Sequence, residues 1–298
     1  MVNYGWFGKY AGQKEYISQG INGSLPTWLK NWVEQGHDLF VSHDPGNKGR
    51  IKKNLRFFLL DQKAQICLVG ILENSTDSEG RFFPAVPFIT FPTTLQEYFI
   101  FFPVLLEPLW NFLRGATPDS TKFTESSFLN DFMAHQEKNI SETKKDLDDL
   151  LANLTLFHFC SECGMSDVTS LSRALGNLQQ EKKQSSLSPW SLKNRLPEDN
   201  PLFFACIWLI ILDNIFSLSY FPHSFIMEPG TSRPESFLFF RWPLKKDFLA
   251  LQGIETNDKL TIDILDPREN KTRIHRRFST LTERADSTLK EILVEGFK

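Results

Sequence analysis

One stretch constrains this chain more than any other: a continuous apolar run that breaks into a polar turn. Ile66-Cys67-Leu68-Val69-Gly70-Ile71-Leu72 shows no polar alternation, the pattern of a strand covered on both faces. From Glu73 to Glu79 the side chains become polar or charged, and Asn, Ser, Thr and Asp of this kind bond nearby backbone N–H groups in turns. Gly80 supplies a positive φ with no Cβ penalty, so the chain can reverse there. Arg81 follows, and then a second apolar segment, Phe82 to Phe91, punctuated by Pro84 and Pro87. The expectation is a fixed polar junction between two core strands, with Asp77 and Arg81 inside it.

The flanking segments extend this pattern. Leu55-Arg56-Phe57-Phe58-Leu59-Leu60 is a second apolar strand, joined to the first by Asp61-Gln62-Lys63-Ala64-Gln65, short enough for an antiparallel hairpin. The prolines of Phe82 to Phe91 cannot donate ladder bonds, which predicts an edge or irregular strand. Gly5 to Lys9 reads as a short first strand. Ser24 is a good helix cap and Pro26 fits a first turn, ahead of Trp28, Leu29, Trp32, Val33 and Leu39 at helical spacing. Thr94 to Leu113 predicts an apolar helix interrupted at Pro103 and Pro108.

The chain changes character from Asp119 to Asn200, which is polar and helical by pattern. Ser141 is expected to cap a helix striped by Leu147, Leu150, Leu151 and Leu154, and Ser166 one carrying Val168, Leu171, Leu175 and Leu178. Their charged faces read as solvated surface. Gln179 to Pro189 is expected to be a linker or loop. Leu202 to Phe216 reads as a buried helix, Ser224 to Glu228 and Phe237 to Trp242 as strands, and Phe248 to Leu251 closes this part. Lys259 to Leu265 and Thr272 to Phe278 resemble a hairpin, followed by a helix from Leu281 to Leu293. The predicted fold is α/β: a mixed, mainly antiparallel central sheet with helices on both faces, a three-layer sandwich, plus a helical insertion. Residues 1–118 and 201–253 would build the α/β part, 119–200 the insertion, and 254–298 a carboxy-terminal hairpin and helix.

Composition narrows function by exclusion. A chain of 298 residues with a formal charge of −3 offers no overall electrostatic case for nucleic acid. The use of 28 Phe against five Tyr implies an aromatic core. The first residues lack the basic and apolar regions of a signal peptide, and the apolar run Leu202 to Leu212 is too short to span a bilayer. The Asn-x-Ser/Thr sequons at Asn22, Asn74, Asn139, Asn153 and Asn270 then mark only a polar surface, and a cytoplasmic address is expected. Cys67 and Cys206 sit in apolar runs. Cys160-Ser-Glu-Cys163, with His158 nearby, is half a zinc site with no second half, so no metal and no cofactor are expected. His37 and His43 match no helical metal pair. There is no Gly-x-Ser-x-Gly elbow and no Gly-x-x-x-x-Gly-Lys loop.

Gly70-Ile71-Leu72-x-x-Ser75-x-Asp77-x-x-Gly80-Arg81-Phe82-Phe83-Pro84 resembles the central motif of the TagF/ImpM family of type VI secretion accessory proteins, departing from it at Asn74 and Ala85. Gly5-Trp6-Phe7-Gly8-Lys9 with Glu15-Tyr16-Ile17 is similar to that family's amino-terminal segment, with Ala11, Lys14 and Glu15 where the family has Pro, Gly and Asp. Ser236-Phe237-Leu238-Phe239-Phe240 with Trp242 and Gly253 is a looser echo of a late segment. The resemblance implies a cytoplasmic, non-enzymatic regulator of a bacterial type VI secretion system. Such a protein restrains assembly or firing after translation, through contacts with secretion components and often with a forkhead-associated scaffold. It directs attention to Lys9, Glu15, Ser75, Asp77, Gly80, Arg81 and Trp242. Three readings stay open for them: a structural lock, a partner-binding patch on which all converge, and the site of a small hydrolase or phosphate-binding enzyme. Nothing in the segment beyond Gly253 suggests a function.

Overall fold

Leu55–Asp61 and Ile66–Leu72 pair antiparallel from Leu55↔Leu72 to Asp61↔Ile66 and form the middle of a nine-stranded sheet. The protein is seen in a computed structural model describing residues 2–93, 96–118, 126–184, 191–216, 224–232, 234–254, 261–263 and 276–295. Strands β1 (Asn3–Gly8) and β2 (Ile17–Gln19) precede helix α1 (Ser24–His43), and β3 (Leu55–Asp61), β4 (Ile66–Leu72) and β5 (Val86–Pro92) follow it. Next come α2 (Phe102–Leu105), α3 (Glu107–Leu113), α4 (Ser126–Ala134), α5 (Gln136–Asn153), α6 (Leu156–Glu162) and α7 (Val168–Gln184). Then β6 (Ser191–Arg195) leads to α8 (Pro201–Phe216), β7 (Ser224–Met227), β8 (Glu235–Phe239) and α9 (Asp247–Leu251). The chain ends with β9 (Thr261–Asp263), a 3₁₀ helix at Arg276–Arg284 and α10 (Leu289–Glu295).

The strand order is β2-β1-β5-β4-β3-β7-β8-β6-β9, with every pair antiparallel except β6 with β9. The period of two along a strand sorts the apolar runs into two cores. Leu55, Phe57, Leu59, Leu68 and Leu72 face one way with α1 and Phe248 of α9. Phe58, Leu60, Cys67, Val69 and Ile71 face the other, with residues of α2, α3, α5, α7 and α8. This is the expected three-layer α/β sandwich, and it explains why β3 and β4 show no polar alternation. Two close approaches fix the layers. A Cβ on Gly70 would lie 2.4 Å from the Phe57 ring across the hairpin, and one on Gly36 of α1 would lie 2.6 Å from Phe248.

Pro103 and Pro108 each sit in the first turn of a short helix, α2 and α3, where a missing N–H costs nothing. Other expectations need correction. The segment ending at Phe91 takes the irregular alternative and not the edge one: β5 lies between β1 and β4. The sheet absorbs Pro87 by a local gap, because the β4–β5 ladder stops at Gly70↔Phe88 and resumes as one bridge at Glu73↔Ala85. Ser141 is interior to α5, and Asp167, not Ser166, caps α7 by accepting the Ser170 N–H at 2.7 Å. Residues 179–184 continue α7, while 185–190 lie outside the described residues. The predicted hairpin is replaced, where described, by β9 beside β6 and by the 3₁₀ helix over 276–278. The range 119–200 also ends in a strand of the sheet, β6. The last segment packs on the helical region: Leu156 and Phe157 N–H groups donate to Ser287 and Ala285, and Leu289 N–H to Leu154.

Candidate functional site

The antiparallel exit of β4 and return of β5 force the intervening chain to fold back on itself. It is zipped by Glu73↔Ala85 and Thr76↔Phe82 bridges and by the Phe83 N–H on the Ser75 carbonyl. At its tip Asp77 N–H donates to the Arg81 carbonyl at 3.2 Å, and Gly80 takes φ +76°, the left-handed value its sequence position predicted. Asp77 Oδ1 accepts the backbone N–H groups of Glu79 (3.0 Å) and Arg81 (2.9 Å). Its Oδ2 meets Arg81 Nε at 2.7 Å and Lys9 Nζ at 3.0 Å. Arg81 Nη2 also donates to the Lys14 carbonyl at 2.8 Å, and Ser78 N–H to the Gln13 carbonyl at 2.9 Å. The loop after β1 is thus stapled to the turn after β4.

Electrostatics decides what this carboxylate can do. The Asp77 side chain has no exposed area, Lys9 is 16% exposed and Arg81 48%. Burial opposes ionisation of Asp77, but the Arg81 N–H, Lys9, the Arg81 guanidinium and the Glu79 N–H outweigh it and hold the carboxyl well below its usual range. Four donors use the acceptor positions of one carboxylate, so Asp77 is ionised at neutral pH with no lone pair left for proton transfer. Outward from this rivet, Arg81 lies 3.5 Å and Lys14 3.8 Å from Glu79, and Glu15 is exposed beside Arg81. Gly8 completes the geometry: at φ +120° it brings β1 so close that a Cβ would lie 2.0 Å from the Pro84 carbonyl oxygen.

Ser75 is half-buried, and among the described residues its hydroxyl bonds no base. The histidine packed on this junction is His37, its ring 4.6 Å from that of Phe83. Its Nε2 donates to the Gly49 carbonyl at 2.7 Å, and burial pushes its pKa down, leaving a neutral ring held by α1. Trp242 does not join the junction. Strand polarity alternates from β1 through β5, β4, β3 and β7 to β8, so β8 delivers Trp242 to the opposite end of the sheet. There it lies 4.8 Å from Trp28, which stacks on Trp32. The structure therefore brings Lys9, Asp77 and Arg81 into contact, with Ser75 in the same turn, and the expected single patch that also included Trp242 is corrected.

Three polar arrangements escaped sequence reasoning. Arg241 and Asp247, 7% and 2% exposed, form a buried two-pronged pair, with Arg241 Nη2 to Asp247 Oδ1 at 2.7 Å and Nη1 to Oδ2. Gln252, fully enclosed, accepts the N–H groups of Lys52 and Lys53 at 2.8 and 2.9 Å and donates to the Lys53 carbonyl. Arg56 lies in a cleft on the far face of β3; its charge inside the run Leu55 to Leu60 was the one available signal. Among the described residues no group of three or more His, Cys, Asp or Glu is placed to hold a metal, and no helix is long and apolar enough to cross a membrane. Cys67, Cys160, Cys163 and Cys206 are buried free thiols.

No family model and no curated protein matches the chain. Among solved structures, the crystal structure of PA0076 from Pseudomonas aeruginosa PAO1 is similar at 17% identity and a TM-score of 0.27, covering 39% of this chain and 64% of that one. The chain thus matches less than two thirds of that protein's length.

Proposed function

We propose that the chain is an accessory protein of a bacterial type VI secretion system, of the TagF/ImpM kind. It acts in the cytoplasm and restrains assembly or firing by binding another component, with a forkhead-associated scaffold as the first partner to test. One observation carries this reading. The two segments that most resemble the family, Gly5 to Ile17 and Gly70 to Pro84, meet through Lys9, Asp77 and Arg81 as a single rigid unit. Its inner carboxylate is saturated, which favours a scaffold role, and its outer side chains Lys14, Glu15, Glu79 and Arg81 form a mixed-charge rim suited to partner selection.

The test is capture from cells that carry a type VI system, using the full chain as bait and reading the bound proteins by mass spectrometry. Secretion components are expected with the wild-type chain and fewer with the Lys14→Glu, Glu15→Lys variant, whose two exposed side chains do not touch Asp77. Recovery of no secretion component would refute the function. Equal recovery by a folded variant would refute the surface.

A further inference from the structure

Helix α1 and the chain between β8 and α9 flank an open groove of about 570 Å³. Helical spacing puts Trp28, Asn31, Trp32 and Gln35 on one face of α1, along one wall. Trp28 is half-buried and stacks on Trp32 with ring centroids 5.8 Å apart, and Trp242 packs 4.8 Å from it. The other wall is pinned. Trp32 Nε1 donates to the Leu244 carbonyl at 2.9 Å, and the Leu244 N–H donates to Asp247 Oδ2. Both main-chain groups of Leu244 are thus used, while its side chain is 41% exposed. The carboxylate that holds it is itself buried against Arg241, so this loop displays Leu244 from a fixed backbone.

Three features point to what the groove accepts. Trp28 and Leu244 offer indole and aliphatic carbon to a bulky apolar side chain. Asn31 and Gln35 lie one helical turn apart and are exposed, and their amides bond no described residue. Each amide carries donors and an acceptor, the complement of a peptide main chain. Lys245 and Lys246 complete the lining, which contains no carboxylate. Lys245 is exposed and forms no ion pair among the described residues. Glu34 of α1 and Asp247 of α9 are paired with Lys30 and Arg241, and Asp38 is outside the lining. The groove is therefore an apolar slot with a positive rim.

We propose that this groove docks a short acidic peptide segment of a partner protein. A Trp, Phe or Leu of that segment packs on Trp28 and Leu244, its main chain bonds Asn31 and Gln35, and its Asp or Glu residues face Lys245 and Lys246. Charge complementarity selects this occupant over a second copy of the chain, since a two-fold contact would set the lysine rim against itself. The pinned loop lowers the cost of binding, because Leu244 is already ordered. The inference does not rest on the secretion-system reading, which places its surface at the other end of the sheet.

A library of random short peptides displayed on phage, selected on the immobilised full chain, tests this. The enriched peptides are expected to carry Asp or Glu beside Trp, Phe or Leu. The most enriched one, synthesised with a fluorescent label, then gives dissociation constants by anisotropy. Trp28→Ala should weaken it at least about tenfold. Lys245→Glu should weaken it too and flatten its salt dependence. Leu244→Ser, at an exposed side chain, is the deciding variant if Trp28→Ala does not fold. The Lys14→Glu, Glu15→Lys variant should bind the peptide like wild type, which separates this groove from the junction rim. No enrichment, or enrichment of peptides without acidic residues, overturns the proposal. So does a folded Trp28→Ala or Leu244→Ser that binds unchanged, and so does loss of binding in the rim variant. A wild-type dimer in light scattering that Lys245→Glu disperses would assign the groove to a second copy and overturn it as well.

Discussion

Replacing Gly8 by Ala tests the junction where backbone geometry, not a side chain, carries it. Gly8 has φ +120°, a region where a residue with a Cβ is strained by about 1–3 kcal/mol. The added Cβ would also sit 2.0 Å from the Pro84 carbonyl oxygen and 3.1 Å from the Ala85 Cα. That backbone cannot yield freely, because Ala85 and Glu73 exchange both N–H···O bonds at 3.0 Å and Phe83 N–H is bonded to Ser75. Forcing it aside is an overpacking change worth about 1–3 kcal/mol more. The expected loss for Gly8→Ala is therefore about 2–6 kcal/mol, a large fraction of a domain's usual 5–15 kcal/mol or so. Gly80→Ala is the internal control: φ is +76° and nothing lies within 4 Å of its added Cβ, so only the backbone cost of about 1–2 kcal/mol applies. Urea unfolding followed by tryptophan fluorescence gives both numbers from midpoints at a common slope. A Gly8→Ala loss no larger than that of Gly80→Ala would refute the claim that β1 is wedged against the chain leaving the turn.

Asp77→Asn should unfold at lower urea than wild type at pH 7. Its folded pKa lies below the unfolded value of about 3.9, so the ionised group stabilises above that value and the benefit drains as pH falls through the folded pKa. The gap between the variants should close between about pH 5 and the acid limit, and a pH-independent gap would contradict the assignment. Asp247→Ala, which strands Arg241 and the Leu244 N–H, is expected to cost about 3–5 kcal/mol by denaturation, and Arg241→Met with Asp247→Leu to recover the part owed to the stranded guanidinium; a single-variant cost below about 1 kcal/mol would place the pair in solvent. Burial pushes the Cys160 and Cys206 thiols up to about 12 and those of Cys67 and Cys163 further. A disulfide dye at pH 8 should therefore label no cysteine quickly in the folded protein and all four in denaturant, and rapid labelling of any one in the folded protein would show it is not sealed.

The sequence by itself determined what short-range geometry controls. Burial on both faces leaves no polar alternation, so β3 and β4 and their hairpin were legible from Leu55 to Leu72. Asp77, Gly80 and Arg81 fall within one turn, so their mutual bonding follows from local spacing. The tertiary structure decided everything that depends on register and strand polarity. Pro87 left an edge or an irregular strand open, because local spacing cannot say which neighbours a strand has; the loss stays confined to a gap between two ladder segments and β5 sits inside the sheet. Lys9 reaches Asp77 only because β1 pairs with β5 in a register that sets Phe7 opposite Val86. Trp242 leaves the site because five successive antiparallel pairings separate β1 from β8, and an odd number of reversals sends the chain to the other end of the sheet. Arg56 shared an ordinary strand pattern with its neighbours. What made it a cleft residue was the arrival of α3, the start of α8 and the loop after β7 from distant parts of the chain, since burial and charge pairing are properties of neighbours in space.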